Sequence, residues 1–145
     1  MDKSVNIKFF SVFFLVIVVD QAIKYLFTHG FGAEGSCISL VLAYNKGVAF
    51  SMFAFLKEYL KYIQVALVVV AIIYLLVKKE LLQKYTIAIA LVLAGGVSNI
   101  ADRFFREGVV DYVYWHCGFN FAIFNFADVM IDLGVLLIIL KEFKK

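Results

Sequence analysis

The sequence predicts an all-α membrane protein: four transmembrane helices with a small extracytoplasmic β-like cradle between helices 1 and 2, in one domain over 1–145. Three observations carry that expectation. Of the 145 residues, 64% are hydrophobic, against about 45–50% in soluble domains. A chain this short has no soluble interior large enough to bury them. Four stretches approach the roughly 20 apolar residues that a helix needs to cross a bilayer. Lysines gather at alternate junctions between those stretches, which is how cytoplasmic ends are marked.

The first stretch, 9–27, follows Lys3 and Lys8, as the core of a cleavable signal peptide would. DQAIK comes directly after it, where a cleavage region needs small neutral residues, so a retained helix is expected. The connection 28–58 contains CISLVLAYN, β-branched and aromatic, and predicts a strand at the outer membrane surface. The second helix, 59–77, has Gln64 near its outer end. KKELLQK, with Lys78, Lys79 and Lys84, is a short loop to the third helix, 85–101. In the connection 102–120, Gly108 is a turn candidate before the second strand, VVDYVYW. The fourth helix, 121–140, precedes Lys141, Lys144 and Lys145.

An even number of spans places all three lysine clusters in the cytoplasm and both long connections outside. Lys46, Lys57, Arg103 and Arg106 dilute that bias. The net charge of +3 resides in these clusters, so it reports topology and gives no reason to expect nucleic acid. No repeat, proline or low-complexity tract is visible, which argues against a duplicated transporter. Cys37 and Cys117 can pair outside the membrane, but two thiols make no disulfide framework. Two unpaired small residues is the expected state.

Ionisable groups are expensive in a bilayer, so those near the spans are functional candidates. Asp20 and Lys24 stand four apart with Gln21 beside them, and an internal ion pair is expected. Gly95, Asn99 and Asp102 follow i, i+4, i+7 spacing and share one stripe. Gly95 and Gly96 permit close helix approach. Arg103 can pair with Asp102, reach lipid phosphate, or merely snorkel. In FNFADVMID, Asn125, Asp128 and Asp132 share a face, and GVVD delivers Asp111. Asp102, Asp111 and Asp128 thus fall at one depth, near the outer surface.

Acids at one depth describe a site. A transporter or proton channel would stagger them through the bilayer, and an assembly subunit would use them as interhelical glue. His29 and His116 are loop residues, expected as interfacial polar tips. The His116–Cys117 neighbours lack the ligand spacing of a zinc site, so neither metal nor cofactor is expected. With no convincing base beside a serine or cysteine, a carboxylate pair remains. Two aspartates sharing one proton divide the work, one activating water and the other donating to a scissile carbonyl.

DQAIK, NKGVAF, GGVSNIADR, GVVD and FNFAD, in that order over residues 20–128, resemble the lipoprotein signal peptidase (signal peptidase II) family. The resemblance implies a bacterial inner-membrane aspartyl endopeptidase. Such an enzyme removes the signal peptide of a prolipoprotein on the N-terminal side of its diacylglyceryl-cysteine. By the same resemblance Asp111 and Asp128 are catalytic. Asn45, Asn99, Asp102, Arg103 and Asn125 support the site or contact substrate, and Asp20 and Lys24 are structural. The implied partners are the lipid-modified prolipoprotein and membrane phospholipid, without nucleic acid, around a monomer. Both termini are expected in the cytoplasm and the site near the outer face. Ser98 stands where glycine is usual, Tyr112 where phenylalanine is common, and Val129 where a smaller residue is typical. The proline often found before FNFAD is missing.

Overall fold

Runs of apolar residues become helices wherever no strong cap intervenes, and here one cap, at Asn125, moves an expected boundary. The computed structural model describes residues 3–47, 54–56 and 58–144. The last three residues of NKGVAF, together with Lys57 and Lys145, lie outside the described residues. In chain order the elements are α1 (Lys3–Thr28), β1 (Ile38–Asn45), a 3-10 turn (Ala54–Leu56) and α2 (Tyr59–Val77). A short helix α3 (Lys79–Lys84), α4 (Thr86–Phe105), β2 (Val109–Trp115) and α5 (Phe126–Phe143) complete them. KKELLQK, expected as a loop, thus forms a helix of its own.

Among the described residues three helices, α1, α2 and α4, are long and apolar enough to cross a membrane. The expected fourth stretch splits. Residues 121–124 run back along β2: Phe121 N–H donates to the Trp115 carbonyl at 2.9 Å, and Phe124 N–H to that of Val113 at 3.1 Å. The helix starts only at Phe126, because Asn125 caps it. The Asn125 side chain accepts from Asp128 N–H at 2.9 Å, and Asp128 Oδ2 accepts from Asn125 N–H at 3.1 Å. That reciprocal pair satisfies two N–H groups that a helix start leaves open. α5 is 18 residues long and carries Asp128, Asp132, Lys141 and Glu142.

α4 is the central helix, with α1 and α5 against it. Small residues let the three approach: Ala90, Ala94 and Ser98 are fully buried. A Cβ on Gly95 would stand 2.6 Å from the Ala127 carbonyl oxygen, so that crossing requires glycine. Gly96, expected to share this role, faces open space. Its place is the cavity described below. α2 buries little: Leu67, Val70, Ile73 and Leu76 are more than half exposed. On a bilayer-spanning helix such a surface meets lipid.

The cradle draws on both outer connections, so its expected place between helices 1 and 2 alone is corrected. β1 pairs antiparallel with β2, from Ile38 opposite Trp115 to Asn45 opposite Val109. Between Leu40 and Ala43 the register slips, and Val41 and Leu42 together face Tyr112. Such a bulge reverses which side chains share a face. Without it Tyr44 would stand opposite Val109; with it Asn45 does, on the face of Asp111. Beyond the outer end of the sheet, Cys37 and Cys117 form a disulfide. The expectation of unpaired thiols is overturned, because strand pairing brings their Cα atoms to 4.3 Å. His116 N–H also donates to the Cys37 carbonyl there, at 2.9 Å.

Candidate active site

The polar residues of α1 and α4 meet in a cluster closed to solvent. Lys24 Nζ lies 2.7 Å from Asp20 Oδ2 and 2.7 Å from Asp102 Oδ2, and donates to Asn99 Oδ1 at 2.8 Å. All three of its donors are thereby used. Ser98 Oγ donates to Asp20 Oδ2 at 2.7 Å, and Asp20 Oδ1 accepts from Ala127 N–H at 2.9 Å. Asp102 also meets the Arg106 guanidinium, accepts from Gln21 at 3.0 Å, and accepts from Val110 N–H at 3.1 Å. Two carboxylates therefore face two cations. Removing one member of such a buried pair typically costs about 3–5 kcal/mol, because its partner stays buried and uncompensated.

Asn99 carries this cluster to the next layer. Its oxygen is held by Lys24, which turns its amide Nδ2 to donate to Asp128 Oδ1 at 2.8 Å. Asn125 then joins the two carboxylates that sequence reasoning paired. Its backbone N–H and side-chain oxygen hold Asp128, while its Nδ2 donates to Asp111 Oδ1 at 2.7 Å. Asn45 Nδ2 donates to Asp111 Oδ2 at 3.1 Å, across the bulged sheet. Asp111 and Asp128 line one cavity of about 520 Å³ with Asn45, Asn99 and Arg103, walled by Leu67 and Val68 of α2. Asp102 does not line it. Asp132, which shares Asp128's face, does.

Asp111 is 2% exposed. Burial pushes its carboxyl up to about 6, and the neighbouring Asp128 charge pushes the same way, against the Asn45 and Asn125 hydrogen bonds. Burial is thus the larger cause and the like charge the smaller. The arrangement suits a proton-sharing pair: one carboxyl can remain protonated up to about pH 6 while amides orient both.

Over this geometry, the family model for Signal peptidase (SPase) II matches residues 12–144. The chain belongs to the signal peptidase II family. It is an aspartic peptidase of family A8. The lipoprotein signal peptidase of Helicobacter pylori (strain ATCC 700392 / 26695) is 53% identical over 135 residues, covering 93% of this chain and 86% of that protein. That of Sulfurimonas denitrificans is 57% identical over 129 residues, covering 89% and 83%. Among solved structures, a bacterial membrane enzyme determined by the in meso method at 2.3 Å resolution superposes with a TM-score of 0.80. It is 26% identical, with 94% of this chain and 87% of that one covered.

Within this signal peptidase II, one of the alternatives open to Arg103 is removed. Arg103 does not pair with Asp102, whose cations are Lys24 and Arg106. Instead Arg103 donates to the Asn99 carbonyl at 3.3 Å and to the Gly47 carbonyl, while its Nε is buried without a partner. The i, i+4 step from Asp102 reaches Arg106, a spacing visible in the sequence but overlooked beside the nearer Arg103. Ser98 and Tyr112 were noted only as departures from the family pattern. The Ser98 hydroxyl ties α1 to α4. The Tyr112 hydroxyl accepts from Phe126 N–H at 2.9 Å, at the first turn of α5. His116 Nε2 lies 2.9 Å from Ser39 Oγ, and Cys117 is committed to its disulfide.

Proposed function

We propose that Asp111 and Asp128 are the catalytic dyad of this signal peptidase II. The observation that carries the reading is Asn125, one residue in contact with both carboxylates on the wall of a single cavity. The enzyme removes signal peptides from prolipoproteins. Cleavage falls on the N-terminal side of the diacylglyceryl-cysteine. Water lies between the two carboxyls. The ionised one takes its proton as the oxygen attacks the scissile carbonyl carbon, and the protonated one gives its proton to the carbonyl oxygen. The tetrahedral intermediate then collapses: the carboxyl that took the water proton gives it to the leaving nitrogen as the C–N bond breaks, and the other recovers its proton from the intermediate's hydroxyl. Asn99 and Asn125 fix both carboxylates through this cycle, and such positioning acts most in the transition state. Asn45 does the same for Asp111. Asp102 supports from behind, and Asp20 and Lys24 anchor the cluster. Arg103, which lines the same cavity, takes peptide carbonyls or lipid phosphate.

The chain acts as a monomeric single domain with α5 as a fourth span. In support, 18 residues rise about 27 Å, close to the ~30 Å hydrocarbon core. Leu133, Leu136 and Leu140 also present partly exposed apolar surface. Both termini then lie in the cytoplasm of the bacterial inner membrane, and the dyad near its outer face.

The test is incubation of purified enzyme with a lipid-modified prolipoprotein, following signal-peptide release. Asp111→Asn and Asp128→Asn should each reduce release by at least about 10³-fold while the variants still unfold cooperatively, since an amide cannot serve as the base. Substantial turnover in either variant would refute the dyad.

A further inference from the structure

The end of the helices remote from the dyad carries a second cavity, of about 510 Å³. Asp128 and Lys141 stand near opposite ends of α5, roughly 20 Å apart at 1.5 Å per residue. Four lysines from three parts of the chain converge on this hollow. Lys8 comes from α1, Lys84 from α3, and Lys141 and Lys144 from the end of α5. Among the described residues its lining includes no carboxylate. Glu142 meets Lys84 at 2.5 Å but does not line the hollow.

The lysines are drawn together. The ammonium groups of Lys84 and Lys141 lie 4.7 and 5.6 Å from the centre of the same ring, Tyr85. Lys141 also donates to the Lys84 carbonyl at 2.5 Å. Glu142 offsets one of these charges, at Lys84; gathering the rest around one hollow is favoured by an anion that joins them. Lysines that only mark a cytoplasmic helix end need water and no common target. Here they ring a pocket whose remaining wall is greasy. Ile87, Leu137 and Leu140 line it and are all partly exposed. An inorganic anion would use the ammonium groups and leave that wall empty.

We infer that this hollow binds one anionic phospholipid, its headgroup phosphate among Lys8, Lys84, Lys141 and Lys144 and an acyl chain along Ile87, Leu137 and Leu140. Basic pockets between membrane helices recognise lipid headgroups by this combination of charge and apolar contact. The bound lipid bridges α1, α3 and α5, at the end where the catalytic layer makes no contacts.

Native mass spectrometry of the detergent-solubilised full chain tests the proposal with phosphatidylglycerol and phosphatidylcholine as probes. Phosphatidylglycerol should be retained as a single adduct about tenfold or more preferentially, and Lys8→Gln/Lys141→Gln/Lys144→Gln should lose that preference. Asp111→Asn should keep it, which separates this hollow from the dyad cavity and its Arg103. Thermal unfolding supplies the second arm: phosphatidylglycerol should raise Tm, and inorganic phosphate should not. The proposal is overturned if the triple variant retains phosphatidylglycerol like the parent or if phosphatidylcholine is held equally. Equal stabilisation by free phosphate would also overturn it.

Discussion

Asn125 does three jobs with one side chain and one backbone N–H. It caps α5, fixes Asp128 within its first turn and holds Asp111 on the neighbouring strand. Lys24 works one layer deeper, using Asn99 as the intermediate between its charge and Asp128. The raised carboxyl of Asp111 leads to a pH prediction. On the proposed dyad, the shared proton is lost above about 6, taking the general acid with it, and activity should fall. We expect kcat/KM of the free enzyme to show an alkaline limb near pH 6, assigned to the pair rather than to one residue. A profile flat from pH 5 to 8 would contradict this. The same shift sets a stability trend: the Asp111 contribution is fully present below its ordinary 3.8 and is lost as pH rises through about 6. Tyr112 offers a second test. Burial raises its hydroxyl to about 12, so it stays neutral and accepts from Phe126 N–H. Tyr112→Phe should cost about 1 kcal/mol of stability through that lost bond. Turnover should remain, since Asn125 still holds both carboxylates. A thermal midpoint equal to the parent's would show the bond to be unimportant.

At the scale of elements, the site depends on the register of two strands that lie far apart in the sequence, Ile38–Asn45 and Val109–Trp115. The bulge at Val41 and Leu42 selects Asn45 for the Asp111 face, and the Cys37–Cys117 bond holds the opposite end of the ladder closed. Cys37→Ala/Cys117→Ala should therefore lower the thermal midpoint, corresponding to about 2–4 kcal/mol, and reduce turnover with it. Reduced parent protein should match the double variant. If the oxidised parent and the double variant unfold together, the bond contributes nothing to the cradle. Both strands were legible as β-branched and aromatic runs, because that signal is local. The bulge was not, since it exists only as a mismatch between two partners. The same holds for α5: its hydrophobic run begins at 121, but residues 121–124 are claimed by β2 and the helix waits for its Asn125 cap.

For the whole molecule, the testable claim is orientation. With four spans, residues 78–84 and the C-terminal lysines share the cytoplasmic side with the N-terminus, opposite the dyad. Single cysteines placed at Lys79 and Lys144 in the Cys37→Ala/Cys117→Ala background should react with membrane-impermeant maleimide only after the membrane is opened. Labelling of either in intact spheroplasts would reverse the topology or remove α5 from the bilayer. The sequence by itself determined that this is a membrane protein and where α2 lies. It also determined that Asp102, Asp111 and Asp128 gather at one level, because hydropathy and helical spacing are properties of neighbouring residues. Only the tertiary structure decided how those acids divide. Asp102 turns inward to Lys24 and Arg106, whereas Asp111 and Asp128 turn to a common cavity through Asn125. It also decided that Gly95 meets α5 while Gly96 faces open space, and that two distant cysteines come within bonding distance. The reason is physical: depth follows from how far along a helix a residue lies. A partner depends on what a second element, folded from a remote part of the chain, places opposite it.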